Sequence, residues 1–269
     1  MEADNDLEML LCIAAQRAGD EIVHIKSNFG NLQSQEKSDG SPVTIADMKA
    51  HDTIIKALGN LFPDIPVLSE EGSVGNPVEH NFCFVVDPLD GTKEFMRGSE
   101  MYTVNIALTE KTREFKWKPI CGVVHAPEMK KTWFGSCNTG ASLQDKHGIS
   151  KISVAENKRI PVIVGSISHA SPLDRKFADS VGEHIFQGVG SSIKICKVAD
   201  GSADMSPRFG PTSCWDTAAA HAVLNAAGGS LLGPDGQEID YDLIENLLNP
   251  WYFATSNGKW VDQWIRQQY

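Results

Sequence analysis

The spacing of apolar residues predicts two amphipathic helices at the start of the chain. Leucine, isoleucine and alanine recur every three or four positions from Leu7 to Ile25, which is the period of a helix with one buried face. A second helical pattern begins near Thr44, which with Asp47 resembles a helix-capping pair, and it ends before Pro63. The apolar face expected for this second helix consists of Met48, Ile55, Leu58 and Leu61.

Shorter apolar runs, separated by glycine or charged residues, predict strands after the second helix. The expected strands are residues 82–86, 103–108, 120–125 and 132–134. Beyond them the pattern predicts a strand at 162–165 and helices from about Leu173, at 192–199, at 217–227 and at 259–266. Because helices and strands come in mixed order without strict alternation, the sequence favours a layered α+β fold over a Rossmann fold or a barrel.

A polar stretch with two glycines, residues 138–148, marks the expected boundary between two domains. We expect an N-terminal α+β domain over residues 1–147 and a C-terminal α/β domain over residues 148–269. The segment 111–118, which contains Trp117, is longer and more basic than a tight hairpin needs, and it forms either an exposed hairpin tip or a contact surface. The sequence leaves these two alternatives open.

Composition and charge narrow the classes of partner. The chain has 269 residues, of which 41% are hydrophobic and 22% charged, as expected for a globular protein with a substantial core. Its net charge of −11 and its lack of a basic run argue against polymeric nucleic acid and anionic membranes as partners. A small anionic substrate fits if metal ions and a few local cations reverse the field at the site.

The cysteines and the N-terminus indicate a reducing compartment. The six cysteines are scattered and include no C-x-x-C pair, which is typical of reduced thiols. The acidic first residues lack the architecture of a signal peptide, and no apolar run approaches membrane-spanning length. We therefore expect a cytoplasmic protein that contacts no membrane. Its expected oligomeric state is a monomer or a homodimer.

One stretch of the chain carries unusual chemistry: D-P-L-D-G-T at residues 87–92, directly after an apolar run. Its carboxylates, Asp87 and Asp90, repel each other unless a cation lies between them. Glu70 adds a third carboxylate after another short apolar run. Because clusters of oxygen ligands suit hard divalent ions, above all Mg²⁺, the stretch predicts a metal-dependent enzyme.

Structural roles compete with metal binding at these positions. A helix cap accounts for one aspartate of the stretch, but not for two together with Glu70. The loop lacks the alternating acids and the closing glutamate of an EF-hand, and Pro88 stands where a haloacid-type phosphatase needs aspartate. Asp216, in the run W-D-T-A-A-A, is either the N-cap of an alanine-rich helix or a ligand from the second domain that completes a two-metal site.

The end of the same stretch offers groups for an anion. Gly91 and Thr92 precede a helix-compatible segment, and backbone amides at the start of a helix favour an anion such as phosphate. The hydroxyl of Thr92 serves either as a cap or as a group that orients an attacking water. The turn therefore combines carboxylates for metal ions with amides for a phosphate.

Four ordered motifs together resemble the lithium-sensitive, Mg²⁺-dependent phosphomonoesterases of the inositol monophosphatase superfamily, over most of the chain. The motifs are residues 39–47, 69–71, 87–92 and 215–216 with the alanines that follow. Residues 87–95 and 102–108 look most like the 3′(2′),5′-bisphosphate nucleotidases of the bacterial sulfur-assimilation type, and residues 190–194 and 207–212 are similar to that branch too. The resemblance implies a layered αβαβα sandwich.

The resemblance also implies roles for individual residues. Two or three Mg²⁺ ions would be held by Glu70, Asp87, the Leu89 carbonyl, Asp90 and Asp216. Asp47 and Thr92 would activate the attacking water. The substrate would contact Gly91, Thr92, His169, Ser191, Lys194 and Arg208. Lys194 and Arg208 have no obvious acidic partner nearby in the sequence, so surface solvation is their alternative role.

The function that follows from the resemblance is hydrolysis of the 3′-phosphate of adenosine 3′,5′-bisphosphate to AMP and phosphate by a metal-activated water, with inhibition by Li⁺. A second candidate substrate is 3′-phosphoadenylyl sulfate. An inositol mono- or polyphosphate 1-phosphatase is the alternative, because the superfamily shares the metal site. A non-catalytic sensor of metal or nucleotide is a further alternative, but pure binding needs no water-activating pair such as Asp47 and Thr92.

Overall fold

The computed structural model describes residues 2–28, 34–36, 42–156, 160–168 and 171–266. The expected site residue His169 and the motif residues 39–41 lie outside these ranges, and the expected capping side chain of Thr44 is likewise not described. None of the helices in the described ranges combines the length and the apolar character that a membrane span requires. None of the six cysteines forms a disulfide.

The described ranges contain seven α-helices and fourteen strands. The helices are α1 (Glu2–Asn28), α2 (Ile45–Leu61), α3 (Thr92–Met96), α4 (Pro172–Ser180), α5 (Ile193–Ala199), α6 (Cys214–Ala226) and α7 (Val261–Arg266). The strands are β1 (Ser34–Glu36), β2 (Pro42–Thr44), β3 (Val67–Ser69), β4 (Phe82–Asp90), β5 (Thr103–Lys111), β6 (Trp117–Ala126), β7 (Lys131–Ser136), β8 (Gly140–Asp145), β9 (Gly148–Ile152), β10 (Val162–Ser166), β11 (Ile185–Val189), β12 (Met205–Arg208), β13 (Ser230–Leu232) and β14 (Tyr252–Thr255).

Most of the strands form two large sheets. The first has seven strands in the order β3-β4-β5-β6-β7-β8-β9, antiparallel except for the parallel pair β3 and β4. The second has five strands in the order β11-β10-β12-β14-β13, parallel around β10 and antiparallel around β14. A separate antiparallel pair joins β1 and β2. The strands therefore run in mixed directions, as an α+β protein requires.

Three apolar clusters hold five layers of helices and sheets together. One cluster joins α1 and α2 to the seven-stranded sheet, a central one joins that sheet to α5, α6 and the five-stranded sheet, and a third joins the five-stranded sheet to α4 and α7. In β5, Ile106 belongs to the first cluster and its neighbour Ala107 to the central one, because successive side chains of a strand point to opposite faces. The expected αβαβα sandwich is confirmed.

A close approach between α6 and β6 sets the spacing of the central layer. A Cβ atom added to Gly122 would lie 2.2 Å from the carbonyl oxygen of Ala219, so that only glycine fits at this position. The small side chains of Ala218, Ala219 and Ala220 are buried along α6, which allows the helix backbone to come near the sheet. The alanine run next to Asp216 therefore has a packing role.

The buried face of α2 differs from the expected one. Its buried side chains include Ala46, Ala50, Ile54 and Leu58, which follow one another at intervals of four. Met48 and Leu61, expected on the buried face, are 41% and 42% exposed. The prediction weighted large apolar residues, whereas the face that packs against α1 and β4 also includes two alanines, Ala46 and Ala50, which let the backbones approach closely. Asp47 lies on this buried face.

The structure differs from the expected strands at the predicted domain boundary and at the segment 111–118. Strand β9 pairs with β8, so the seven-stranded sheet extends to Ile152, past the expected boundary at residues 147 and 148. The division into two domains therefore stays a prediction. Segment 111–118 forms the hairpin between β5 and β6, with Phe115 exposed at its tip and Trp117 fully buried in the central cluster. Of the two alternatives, the structure shows the exposed hairpin tip, while Trp117 itself is a core residue at the start of β6.

Candidate active site

Strand β4 delivers the first two carboxylates of the site. The sequence predicts that this strand ends at Val86, but it continues through Pro88 to Asp90. Its pairing with β5 shifts between Asp87 and Asp90. Proline cannot donate to a strand ladder, and an irregularity of this kind re-aims the side chains around it. The irregular strand end therefore places Asp87 and Asp90 close together, although they are three residues apart.

The chain turns sharply after β4. Gly91 adopts a left-handed conformation with φ of 92°, and a Cβ atom there would lie 3.2 Å from the Met101 carbonyl oxygen. The Oδ1 atom of Asp87 accepts the Leu89 N–H at 3.0 Å, and the hydroxyl of Thr92 donates to the Leu89 carbonyl at 3.2 Å. These two hydrogen bonds hold the backbone and side-chain oxygens of the turn in one orientation.

Helix α6 brings the third carboxylate to the same place. The ligand oxygens of Asp87, Asp90 and Asp216 all lie within 4.8 Å of one another. Asp216 also completes a capping box at the start of α6, in which its Oδ2 accepts the Ser213 N–H at 2.6 Å. The N-cap of α6 is Ser213, so the expected N-cap role of Asp216 is wrong; Asp216 lies three residues later, where one oxygen completes the capping box while the carboxylate joins the cluster.

A polar network that the sequence analysis did not assign orients Asp90. Its Oδ2 accepts the Ser192 N–H at 2.5 Å, the Thr103 hydroxyl at 3.4 Å and the Asn105 amide at 3.5 Å. The Ser192 hydroxyl in turn donates to the amide oxygen of Asn105 at 2.8 Å. The available signal was the alternation of the polar Thr103 and Asn105 with the apolar Val104 and Ile106 at the start of β5.

Burial and mutual repulsion raise the pKa values of the clustered carboxyls. The pKa of Asp87 is well above its ordinary value, first because the side chain is buried and then because of the neighbouring charges of Glu70, Asp90, Asp216 and Asp47. Withdrawal from water raises the pKa of Asp90 to about 6, against the opposing effect of Lys194, and that of Asp216 to about 7. The cluster therefore favours a bound cation.

Glu70 and Asp47 lie near the cluster on two further segments, although neither belongs to the three carboxylates whose oxygens lie within 4.8 Å of one another. Glu70 follows β3, and its backbone N–H donates to the Val86 carbonyl of β4 at 3.2 Å. Asp47 is fully buried on α2, and its charge contributes to the raised pKa of Asp87. Nearby, the His51 ring nitrogen and the Ser69 hydroxyl lie 2.9 Å apart, a contact between α2 and β3 that the sequence analysis missed.

Two buried cations share the cavity with the carboxylates. The cavity has a volume of about 430 Å³, and its lining includes Lys194 and Arg208, which are 8% and 7% exposed. Lys194 donates to the Ser191 carbonyl, and burial lowers the pKa of its ammonium group, although Asp90 opposes that effect. Arg208 donates to the Pro211 carbonyl at 3.2 Å. Surface solvation does not explain these two residues.

The cavity collects most of the residues singled out from the sequence. Its lining includes Glu70, Asp87, Leu89, Asp90, Gly91, Thr92, Ser191, Lys194, Arg208 and Asp216. Asp47 is buried beside the cluster and does not line the cavity, and His169 is outside the described residues. Cavity residues that the sequence analysis did not assign include Glu94, Ser192, Trp215 and Tyr252.

Comparison with known proteins adds a family assignment to this geometry. Residues 6–266 match the model of the inositol monophosphatase family. The chain is 42% identical to 3′(2′),5′-bisphosphate nucleotidase CysQ of Escherichia coli K12 over 242 residues, which are 89% of this chain and 96% of that protein. It is 40% identical to the protein of the same name from Salmonella typhimurium, over 91% of this chain and 98% of that protein.

Solved structures resemble the chain over nearly its full length. The crystal structure of CysQ from Bacteroides thetaiotaomicron, described as a bacterial member of the inositol monophosphatase family, has a TM-score of 0.79 and 34% identity, over 93% of this chain and 97% of that one. The Thermotoga maritima IMPase has a TM-score of 0.77 with 22% identity, over 99% and 96%, and that similarity shows the fold alone.

Proposed function

The chain belongs to the inositol monophosphatase family, and we propose that its cavity hydrolyses the 3′-phosphate of adenosine 3′,5′-bisphosphate to give AMP and phosphate. The chain is a phosphatase of the 3′(2′),5′-bisphosphate nucleotidase type, since relatives of that name are 40–42% identical over most of its length. The choice of adenosine as the nucleoside comes from the resemblance described above. The related candidate substrate 3′-phosphoadenylyl sulfate also carries its second anionic group on the 5′ oxygen of the ribose.

One observation carries the proposal: a carboxylate cluster and two buried cations line the same cavity of about 430 Å³. A phosphate held by metal ions at the carboxylates needs no protein cation. Lys194 and Arg208 are then available for a second phosphate, and the arginine guanidinium offers the paired donors that a phosphate accepts best. A substrate with two phosphates uses both parts of the cavity.

The carboxylate cluster fits hard divalent cations. Its donors are all oxygens, and the buried Oδ2 of Asp87 has no hydrogen-bond partner among the described residues, so it is available to a cation. Glu70, Asp87, the Leu89 carbonyl, Asp90 and Asp216 would hold two or three Mg²⁺ ions. Bound Mg²⁺ supplies positive charge to the phosphate and lowers the pKa of a coordinated water.

The protein groups prepare the attack. The Thr92 hydroxyl lies on the cavity lining, where it orients the water, and the buried Asp47 beside the cluster assists in accepting the proton. The water oxygen bonds to phosphorus as its proton passes to Asp47, the bond between phosphorus and the ribose 3′ oxygen breaks, and that oxygen takes up a proton from solvent water. Gly91 and the start of α3 supply backbone N–H groups toward the phosphate. The resemblance assigns further nucleotide contacts to Ser191 and to His169, which lies outside the described residues.

A phosphate-release assay tests this function. Wild-type protein with Mg²⁺ should hydrolyse adenosine 3′,5′-bisphosphate faster than inositol 1-phosphate or inositol 1,4-bisphosphate, and Li⁺ should inhibit the reaction because it replaces a divalent charge by a monovalent one. Faster release from the inositol phosphates would replace the nucleotidase proposal by an inositol phosphatase. No release from any of the three would indicate a non-catalytic sensor.

A further inference from the structure

Tyr252 faces Arg208 across the five-stranded sheet. The two residues are direct partners in the antiparallel pair of β12 and β14, and both line the cavity. Directly opposite residues of an antiparallel pair project from the same face of the sheet, with Cβ atoms about 4.5–5.5 Å apart. A phenol and a guanidinium therefore enter the cavity side by side.

The hydroxyl of Tyr252 has no hydrogen-bond partner among the described residues, although the residue is only 3% exposed. Buried tyrosine hydroxyls usually find a partner. Tyr241 does, because its hydroxyl lies 3.0 Å from both the Thr217 hydroxyl and a His221 ring nitrogen. A nearly buried phenol that lines the substrate cavity without a protein partner indicates a group that the ligand satisfies.

The ring of Tyr252 is held rigidly. It belongs to the central apolar cluster together with Ala254, whereas Phe253 points into the opposite cluster. Burial raises the pKa of the phenol, against the opposing effect of Arg208, so the group keeps its proton and acts as a donor. The ligand atom that it meets is therefore an acceptor, next to a guanidinium that also only donates.

We propose that Tyr252 is a specificity-determining residue, whose hydroxyl donates a hydrogen bond to the phosphate that is not hydrolysed, beside Arg208. This inference rests on the proposed bisphosphate substrate. Two neighbouring donors, one charged and one neutral, match the oxygens of a single phosphate group. A ribose hydroxyl carries no negative charge for the guanidinium, whereas a phosphate offers both charge and several acceptor oxygens.

The test compares Tyr252→Phe with Tyr102→Phe, which removes a hydroxyl that is buried in the first cluster and has no hydrogen-bond partner among the described residues. The substrates are adenosine 3′,5′-bisphosphate and adenosine 3′-monophosphate, which lacks the 5′-phosphate. Tyr252→Phe should lower kcat/KM on the bisphosphate by about ten- to a hundredfold, the range for a hydrogen bond to a charged group. It should change kcat/KM on the monophosphate by less than about twofold by the same reasoning, and Tyr102→Phe should change neither.

A second measurement separates binding from general damage. In Tyr252→Phe, the inhibition constant of the product 5′-AMP should rise by the same factor by which kcat/KM on the bisphosphate falls. The inhibition constant of adenosine should stay unchanged. Equal losses on both substrates, or unchanged inhibition by 5′-AMP, would overturn the role of Tyr252 and leave the nucleotidase function intact. If wild-type protein releases no phosphate from the bisphosphate, both the proposed function and this inference fail.

Discussion

The backbone N–H of Ser192 donates to the Oδ2 atom of Asp90 at 2.5 Å. Asp90 ends a strand of the seven-stranded sheet, whereas Ser192 precedes α5, which packs between the two sheets. The hydrogen bond therefore connects the carboxylate cluster to the segment that carries Ser191 and Lys194. It thereby links the proposed metal ligands to the proposed substrate contacts.

Asp90→Asn should abolish turnover without weakening the metal-free fold. The carboxamide keeps an oxygen for the Ser192 N–H but removes one charge from a repelling cluster. We expect phosphate release with Mg²⁺ to fall by several orders of magnitude, while the thermal midpoint in EDTA stays the same or rises. Asp64→Asn, a change at an exposed turn residue, is the control for both measurements. A large drop in the metal-free midpoint would show that Asp90 serves the fold instead.

The metal-free protein should lose stability as the pH rises toward neutrality. The folded-state pKa of Asp216 is raised to about 7, so its stabilising contribution is complete below the unfolded pKa of about 3.9 and is lost as the pH rises through about 7. The measurement is the free energy of unfolding by urea in EDTA, for wild type and for Asp216→Asn. The value for wild type minus the value for the variant should fall by at least about 1.4 kcal/mol between about pH 4 and pH 7.

Added Mg²⁺ provides the control for this pH dependence. A cation bound to the cluster favours the ionised carboxylates, so the difference between wild type and Asp216→Asn should reverse in its presence above about pH 7. A difference that is independent of pH in EDTA would contradict the raised pKa of Asp216.

Arg208→Ala should discriminate between substrates. Removing the guanidinium should lower kcat/KM on adenosine 3′,5′-bisphosphate by about ten- to a hundredfold, the range for a charge-assisted contact to phosphate. The kcat/KM of Arg208→Ala on adenosine 3′-monophosphate should change little. On the bisphosphate, the kcat/KM of Arg208→Lys should lie between those of wild type and Arg208→Ala, because lysine keeps the charge without the paired donors. Arg113→Ala, at the exposed hairpin tip, is the matched control. Equal slowing of both substrates would show damage to the carboxylate cluster.

Asn249 positions the start of α6. The two hydrogens of its side-chain amide are shared among three acceptors, which are the Ser213 carbonyl at 2.7 Å, the Thr217 hydroxyl at 2.9 Å and the Thr212 hydroxyl at 3.1 Å. Because this segment carries Asp216, Asn249→Ala should raise the Mg²⁺ concentration for half-maximal activity by about ten- to a hundredfold, as changes at residues that orient metal ligands do.

Activity of Asn249→Ala should recover at high Mg²⁺, since the ligands themselves remain. Asn76→Ala, which alters the cap of a short 3-10 turn remote from the cavity, should leave the Mg²⁺ dependence unchanged. A loss in Asn249→Ala that no Mg²⁺ concentration restores would contradict a positioning role.

The local chemistry of the chain was readable without a structure. The D-P-L-D-G-T stretch and the alternation of apolar residues pointed to a carboxylate cluster in a layered α+β protein, and both are present. Charge repulsion between neighbours and the periods of helix and strand act over a few residues, so they leave a direct record in the sequence.

Contacts between distant segments were not readable in this way. The irregular end of β4 at Pro88, the choice of the buried face of α2 and the burial of Arg208 all depend on which surfaces meet after folding. Whether a polar side chain such as Thr103 reaches Asp90 or solvent is likewise a property of the assembled sheet.

The sequence by itself therefore determined the type of chemistry and the fold class, because short motifs and periodicities encode them locally. Only the tertiary structure decided that Ser192 and Asn105 orient Asp90, and that the Tyr252 phenol lies beside Arg208. These pairs are separated along the chain and come together through the register of strands and the packing of layers, which no local pattern specifies.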